Sequence, residues 1–467
     1  MRQFLPWLVA VSLFMENLDA TIVNTAVPSM SAALHVAPLS LKGVLTSYTL
    51  SLAVFIPISG WMADRFGTRR VFAAAVAVFS LGSLACGLSL NVPMLVVSRV
   101  LQGIGGAMMT PVGRIALVRS FPRSELLAVM QFVVIPALIG PLFGPLTGGL
   151  IVHWLPWRMI FLVNLPFGLI GLWMVRCYMP DFRDPAAPPL DRTGFVLFGA
   201  GIGMLSYVLE VFGEHNLSAG PIAALTVLSI ALLAAYGWHA HQATTPLLRL
   251  TLLRVRTFRV SVFGGFITRL GFGGMPFLLP LLYQLGMGFP PWKAGLLTMP
   301  QALAAMGMKV IGRKVLARFG HRWVLIANTA LVGVAISLFT FIGRDTPIWC
   351  ILLMSFVLGF LSSLQFTSMN TLVYADVDDR EASQAGSIAS TAQQMSLSFG
   401  VAFAALLVAW YLGGMDQTIA AQTIPALHKA FLTMGALTVV SSLVFSTLRS
   451  SDGNNVSNRV VRVVQAR

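Results

Sequence analysis

Residues 63–70 read ADRFGTRR, and residues 316–323 repeat much of this pattern as LARFGHRW. A shift of 253 residues aligns the two copies and places Gly67 on Gly320. Each copy follows the second apolar run of a six-run half of the chain. Internal repeats around a central site are typical of transporters in which one half rocks against the other. The alternative is that one basic membrane-edge turn is simply used twice.

The composition around this repeat excludes a soluble protein. Of the 467 residues 57% are hydrophobic and 10% are charged, against roughly 25% charged in ordinary soluble domains. The mean hydropathy is +0.81. Three cysteines, Cys86, Cys177 and Cys350, lie in or beside apolar runs without metal-ligand spacing. The sequence therefore predicts no disulfide framework, no zinc site and no cofactor.

Apolar runs bounded by charged or turn residues predict fourteen membrane-spanning helices. These runs cover residues 5–27, 43–63, 71–91, 93–117, 126–151, 157–178, 193–213, 219–240, 258–283, 294–316, 322–342, 348–374, 384–411 and 428–448. The predicted fold class is an all-α polytopic membrane protein of two six-helix bundles plus two inserted helices. The predicted domains are an N-terminal bundle (1–178), linkers with the inserted helices (179–257), a C-terminal bundle (258–448) and a basic tail (449–467).

The distribution of basic residues predicts the orientation of the chain. With an even number of spans both termini share a side, and 22 Lys and Arg residues lie in the connections on that side. Five lie in the opposite connections, so both termini are predicted to be cytoplasmic. The formal charge of +15 thus reflects orientation in a membrane rather than nucleic-acid binding. We expect the tail to rest on the anionic lipid of the inner leaflet.

Three short motifs follow one another in the N-terminal half. GWMADRFGTRR (60–70) joins spans 2 and 3 with a tight glycine turn, an acid and three arginines. LVVSRVLQGIGG (95–106) places Arg99 and Gln102 inside span 4. IGPLFGPLTGG (139–149) spaces glycines four apart, which leaves one helix face bare, and its prolines favour a bend. These glycines and prolines are Gly140, Gly144, Gly148, Pro141 and Pro145.

In this order the motifs resemble the major facilitator superfamily, and within it the fourteen-helix drug:proton antiporters and their multidrug-resistance protein D branch. The resemblance extends to LDATIVNTAVP (18–28), WRMIFLVNLPFG (157–168) and LLPLLYQLGMGFPPWKAGLLTMP (278–300). It implies an exporter driven by proton entry, with a cavity lined mainly by helices 1, 4, 9 and 12. We expect it to function as a monomer with a small-molecule substrate and protons as partners.

The resemblance also implies roles for individual residues. Arg99 would serve proton coupling, and the glycines of helix 5 would set the antiporter bend. The inner gate would be latched by residues of the first motif, namely Gly60, Asp64, Arg65, Gly67 and Arg69. In the second copy Ala317 replaces the acid, so we expect a weaker latch there.

Seven ionisable residues fall inside the predicted spans, and each costs about 2.5–3.5 kcal/mol at a helix centre. They are Glu16, Asp19, Arg99, Arg114, Glu210, Arg269 and Lys309. Glu16 and Asp19 share one helix face because they lie three residues apart. With Arg99 they form the predicted proton-coupling site, in which Glu16 is the group that titrates. The alternative for Asp19 is a fixed structural acceptor.

The 253-residue shift carries Glu16 onto Arg269, so an acid and a base are predicted at equivalent places. We hypothesise a pair that forms in one conformation and breaks when Glu16 is protonated.

The cations suggest a second substrate class. Aromatic and acidic groups bind lipophilic cations, whereas arginine suits carboxylate or phosphate. Arg114, Arg269 and Lys309 therefore raise the alternative of an exporter for an anionic metabolite or metal chelate, citrate-like. Gln365 and Asn370 would add neutral hydrogen-bonding groups to this predicted substrate site, although either residue would serve equally in joining helices.

Other classes of protein are disfavoured. The sequence contains no GxxxxGK[ST] motif and no room for an ATPase domain, so transport must draw on an ion gradient. The histidines show no metal or triad spacing, and no enzyme is predicted. A channel would need neither the repeated gate turn nor the buried acid pair.

Overall fold

The computed structural model describes residues 4–184, 186–212, 219–378, 381–415, 417 and 419–457. Within these ranges the protein is helical, and all fourteen predicted spans are present as helices. We number them α1 (Leu5–Leu34), α2 (Lys42–Phe66), α3 (Thr68–Gly87), α4 (Val92–Ser120), α5 (Arg123–Trp154), α6 (Met159–Tyr178), α7 (Arg192–Phe212), α8 (Ala219–Gln242), α9 (Arg256–Gly286), α10 (Pro291–Phe319), α11 (His321–Leu338), α12 (Ile348–Leu372), α13 (Ala382–Leu412) and α14 (Ala420–Phe445).

Some of the sequence-based predictions fall outside the described residues. They concern Arg2, Arg380 and the tail cations Arg459, Arg462 and Arg467, which belong to the predicted cytoplasmic charge count. The last residue of predicted span 7, Gly213, also lies outside them.

Two predicted spans are shorter than the observed helices, and both of these helices continue through a proline. α1 continues through Pro28 to Leu34, whereas the predicted span stops at residue 27. α14 begins at Ala420 and runs through Pro425, whereas its predicted span begins at residue 428. Prolines are tolerated inside membrane helices because neighbouring groups satisfy the freed backbone carbonyl.

The helices form two six-helix bundles that meet along two seams. The N-terminal half contains α1–α6, and the C-terminal half contains α9–α14. At one seam α5 packs against α10, and at the other α2 packs against α13. The inserted helices α7 and α8 pack on each other, and α7 lies against α2 and α13.

The two halves are closed against each other at one face. We call the face that carries Leu34 and Lys42 the outer face, following the predicted orientation. There α1 packs against the 275–281 segment of α9, within one buried apolar cluster drawn from both halves. The amide of Gln284 donates to the carbonyl of Thr25 at 2.9 Å. The outer face is therefore the closed side of the structure.

Glycines allow the α5–α10 seam to bring backbone against backbone. A Cβ added at Gly149 would lie 2.3 Å from the Pro291 carbonyl oxygen, and one at Gly295 would lie 2.3 Å from that of Pro145. No side chain fits at such a separation, so the close crossing requires glycine on both helices.

The predicted bare face of α5 lies against α1. Cβ atoms added at Gly140, Gly144 and Gly148 would meet the α1 backbone or its threonines, at 2.0 Å from Thr21 Oγ1 in the closest case. α5 nevertheless remains one continuous helix through Pro141 and Pro145.

Candidate functional site

Asp19 is fixed at the centre of the N-terminal half by three donors. Arg99 Nη1 lies 2.5 Å from Asp19 Oδ2, and both side chains are at most 1% exposed. The side-chain amides of Gln102 and Asn164 each donate to Asp19 Oδ1 at 2.8 Å. This arrangement supports a fixed structural acceptor at Asp19, which was the alternative that the sequence left open.

Arg99 is held as firmly as its partner. Its Nε donates to the carbonyl of Val44 at 3.1 Å, and its Nη1 donates to Gln102 Oε1 at 2.8 Å. The guanidinium also stacks over the Tyr48 ring at 4.2 Å, which favours the cation. The buried pair thus joins α1, α2 and α4.

Two members of this network escaped the sequence-based analysis. Ser83 Oγ accepts hydrogen bonds from Gln102 at 2.9 Å and from Asn164 at 3.0 Å, which adds α3 and α6. Asn164 stands in the WRMIFLVNLPFG stretch that carried the family resemblance. A polar residue inside that apolar stretch was the signal that was available.

Glu16 has different surroundings although it lies one turn from Asp19. Its Oε2 accepts a hydrogen bond from Thr110 Oγ1 at 2.6 Å, and the side chain is half-buried. Among the described residues no basic group lies within 4.0 Å of it. Arg114 stands one turn from Thr110 on α4 and is exposed. Glu16 is therefore a carboxyl with a hydroxyl donor and no ion-pair partner in this conformation.

Arg269 is the C-terminal counterpart, and it is buried without an acid. Its side chain is 4% exposed, and its Nε has no hydrogen-bond partner in the described part of the chain. Nη2 reaches Gln393 Oε1 at 3.4 Å, and the guanidinium lies 4.8 Å from the centre of the Phe366 ring. Arg269 and Asn370 both line one small cavity in the C-terminal half.

The other two residues of the predicted substrate site lie elsewhere. Gln365 is fully buried and donates to Thr329 Oγ1 at 2.6 Å, while its oxygen accepts from Asn328 at 2.9 Å. It therefore joins α12 to α11, which is the alternative role that the sequence left open for this residue. Lys309 is exposed on α10.

The first gate motif is held within its own half. Gly67 has φ +95°, a conformation that favours glycine, and a Cβ there would meet Asp181 Oδ1 at 2.2 Å. Asp64 accepts from Arg119 Nη2 at 2.7 Å, so the acid of the motif reaches α4.

The segment that follows α6, residues 179–184, is hydrogen-bonded to the loop between α2 and α3. Asp184 N donates to the carbonyl of Asp64 at 3.0 Å, and Arg69 Nε donates to the carbonyl of Met179 at 2.5 Å. Arg65 is exposed, and no atom lies within 4 Å of a Cβ at Gly60. Asp64 and Arg69 are thus engaged in hydrogen bonds, whereas Arg65 is exposed and a side chain at Gly60 would enter open space.

The second gate motif is fastened by a segment that sequence analysis treated only as a basic tail. Residues 449–457, here the C-terminal strap, fold beneath the C-terminal half. Arg256 donates to both carboxylate oxygens of Asp452, at 3.1 and 2.6 Å. The Asn455 side chain donates to the carbonyl of Ala375, and Gly453 lies against the His321 ring. The strap thereby joins α9, α11 and the end of α12.

Two six-helix halves, two seams and charged residues on the first helix of each half are typical of membrane transporters built from a repeat. The chain belongs to the Major Facilitator Superfamily, whose family profile matches residues 9–401 and 262–460. It is accordingly a multi-pass membrane protein of a transporter family, which is not an enzyme family. Members of this family bind small-molecule substrates and typically work as monomers.

Similar proteins extend over nearly the whole chain. "Putative multidrug resistance protein MdtD" of Serratia proteamaculans (strain 568) is 40% identical over 453 residues, covering 96% of this chain and 94% of its own. The protein of the same name from Pectobacterium atrosepticum is 41% identical over 446 residues, covering 94% of each chain.

Solved structures share the fold at low identity. A bacterial homologue of the human lysosomal transporter Spinster, inward-facing and unoccupied, has a TM-score of 0.70 at 15% identity and covers 99% of both chains. A D-xylose-proton symporter has a TM-score of 0.67 at 13% identity, covering 97% of this chain and 99% of its own.

Proposed function

We propose that this transporter is a proton-coupled antiporter that exports drug-like molecules from the cytoplasm by alternating access, with Glu16 as the proton carrier. The observation that carries the proposal is the contrast between neighbouring carboxyls. Asp19 is bound to Arg99 and two amides, whereas Glu16 has one hydroxyl donor and no ion pair among the described residues. Only Glu16 can change its charge without breaking the buried network.

The coupling follows from the electrostatics of membrane burial. An ionised carboxylate in a low-dielectric site is costly unless it is paired, and protonation removes that cost. A proton arriving from the outer face therefore favours the conformation in which Glu16 is unpaired. Release of that proton to the cytoplasm restores the charge and completes one exchange of proton for substrate.

The proposed substrate class is based on the names of the relatives and on the cations of the predicted substrate site. The two relatives described above carry multidrug-resistance names, and transfer of that role to this chain is part of the proposal. Arg114, Arg269, Lys309 and Asn370 remain the proposed substrate contacts, and Arg269 and Asn370 line a small cavity of the C-terminal half. The citrate-like alternative depends on these cations alone, and we place it second.

Location and gating complete the proposal. We infer a bacterial inner membrane with both termini in the cytoplasm, as the distribution of basic residues predicts. In this orientation the motif around Asp64 and Arg69 lies at the inner face, where it would act as the inner gate. Release of the Asp64–Arg119 contact would accompany each closure.

Inverted membrane vesicles test the proposal directly. An imposed gradient, acid inside, should drive uptake of ethidium, a lipophilic cation, by the wild-type protein. Glu16→Gln should lower this uptake at least tenfold, because it cannot exchange a proton. The matched control is Asp345→Asn, which removes an exposed acid outside the spans and should leave uptake unchanged. Wild-type uptake by Glu16→Gln would show that another group carries the proton.

A further inference from the structure

We propose that Arg269 is the counter-charge that deprotonated Glu16 meets when the inner side of the transporter closes. This inference rests on the proposed function, because it names the partner of the proton carrier. In the present conformation each of the two groups lacks an oppositely charged neighbour within 4.0 Å among the described residues. A charge buried on each side of a moving interface is most stable when the other approaches it.

The choice of acid follows by elimination. More than one turn from a helix end, the described helices contain only two acids, Glu16 and Asp19. Asp19 is occupied by Arg99, Gln102 and Asn164. Of these two acids, Glu16 is therefore the carboxylate that is available to Arg269.

The positions of α1 and α9 show how Glu16 and Arg269 could come together. Glu16 and Arg269 occupy equivalent places in the repeat, on the first helix of each half. α1 meets α9 at the 275–281 segment, toward the outer face, and both charges lie on the inner side of that contact. Rocking that separates the outer ends must bring the inner parts of these helices together. Glu16 and Arg269 then approach each other.

Among the described residues, Arg114 of α4 is the neighbouring cation that also acts on Glu16, and it is exposed and forms no ion pair with it. α5, which packs along α1, carries no charged residue between positions 126 and 152, and α12 and α13 carry none. On α1 and α4 the charges nearest to Glu16 are Asp19 and Arg114. Around Arg269 the polar groups are Gln393 and Asn370, which are neutral.

The pair gives each half of the cycle a preferred charge state. Deprotonated Glu16 attracts Arg269 and favours the state that is closed inside and open outside. One proton from the outer face then neutralises Glu16, the ion pair is lost, and the inner side opens. The proton leaves Glu16 toward the cytoplasm, so one proton enters in each cycle.

A conformational readout tests this pairing without relying on transport. Ala389 lines the cavity beside Arg269, so Ala389→Cys in a background lacking the three native cysteines reports inner access to an impermeant maleimide. With Glu16 and Arg269 intact, labelling should be at least threefold faster at pH 5.5 than at pH 8. Arg269→Gln and Glu16→Gln should each label rapidly at both pH values.

The double variant Glu16→Gln with Arg269→Gln should label no faster than either single variant, because both changes remove the same contact. The matched control is Arg259→Gln, which removes an exposed cation from the same helix and should keep the pH dependence. Wild-type pH dependence in Arg269→Gln would overturn the pairing. If Glu16→Gln still abolishes ethidium uptake in that case, the proposed function survives alone.

A cross-link provides a second test that does not depend on the charges. Glu16→Cys with Arg269→Cys, in the same cysteine-free background, should be joined by a short bismaleimide, which traps even a minor conformation irreversibly. Each single-cysteine protein should give no such product. Absence of the product from folded, purified protein would exclude the approach of α1 and α9 that the inference requires.

Discussion

The two halves share a gate motif and a six-helix plan, yet they treat buried polar groups differently. The N-terminal half neutralises its central cation, since Arg99 faces Asp19 at 2.5 Å. The C-terminal half joins its third and fourth helices with neutral groups, Gln365 and Thr329, and leaves Arg269 unmatched. The two halves therefore share the same helical arrangement, but only the C-terminal half has a central buried cation, Arg269, that is left without an acidic partner among the described residues.

A similar contrast holds at the inner face. The first gate loop carries its own acid, Asp64, which reaches Arg119. The second has Ala317 at that place, and the C-terminal strap contacts this loop through Gly453 at His321, while Asp452 binds Arg256 at the start of α9. In each half the inner loop is therefore contacted by the segment that follows the sixth helix, although only the first loop has an acid of its own.

The largest effect should come from breaking the neutralised pair of the N-terminal half. Arg99→Gln leaves Asp19 as an uncompensated buried charge, which costs about 3–5 kcal/mol. We expect a large fall in thermal unfolding temperature in detergent and poor recovery from membranes. Replacing both residues, Asp19→Asn with Arg99→Gln, should recover much of the loss, and a double variant as unstable as the single one would contradict charge burial as the cause.

In the C-terminal half the corresponding contact is neutral, so its loss should cost less. Gln365→Leu leaves the buried side chains of Asn328 and Thr329 without this partner, at about 1–3 kcal/mol. The same thermal measurement checks this prediction. A loss of thermal stability as large as that caused by Arg99→Gln would show that charged and neutral contacts between helices contribute equally.

The C-terminal strap should contribute a smaller amount, because Arg256 is about one-third exposed. Asp452→Asn removes the charge from a two-point contact, for which we expect about 1 kcal/mol. The local signature is faster hydrogen exchange at residues 449–457, measured by mass spectrometry. Unchanged exchange there would show that the other strap contacts suffice.

The exposed gate pair should affect stability least. Asp64→Asn breaks a surface contact worth about 0–1 kcal/mol, so thermal unfolding should barely change while ethidium transport slows if the loop acts as a gate. Ala317→Asp restores the acid to the second copy and sharpens the comparison. A stability loss above this range in Asp64→Asn would mean that the loop is a structural anchor.

The sequence was sufficient for the helix count because each span is a long apolar run, a signal that does not depend on tertiary contacts. It was insufficient for the partners of Asp19 and Glu16. Both acids lie on the same face of one helix, and their different surroundings come from which residues of α4 and α6 stand opposite. The strap was missed for another reason, since residues 449–457 are polar and carry no periodic apolar pattern.

The glycine-mediated crossing of α5 and α10 lies close to the outer end of α5, so a tilt at this crossing moves the two ends of α5 by different distances. Gly149 is five residues from the outer end of α5 and 26 from its inner end. At 1.5 Å per residue the arms are about 8 and about 39 Å. A tilt of α5 about this crossing point moves its inner end about five times as far as its outer end. Opening toward the outside is therefore not the mirror image of opening toward the inside, because the same tilt moves the outer end of α5 only about one fifth as far as its inner end.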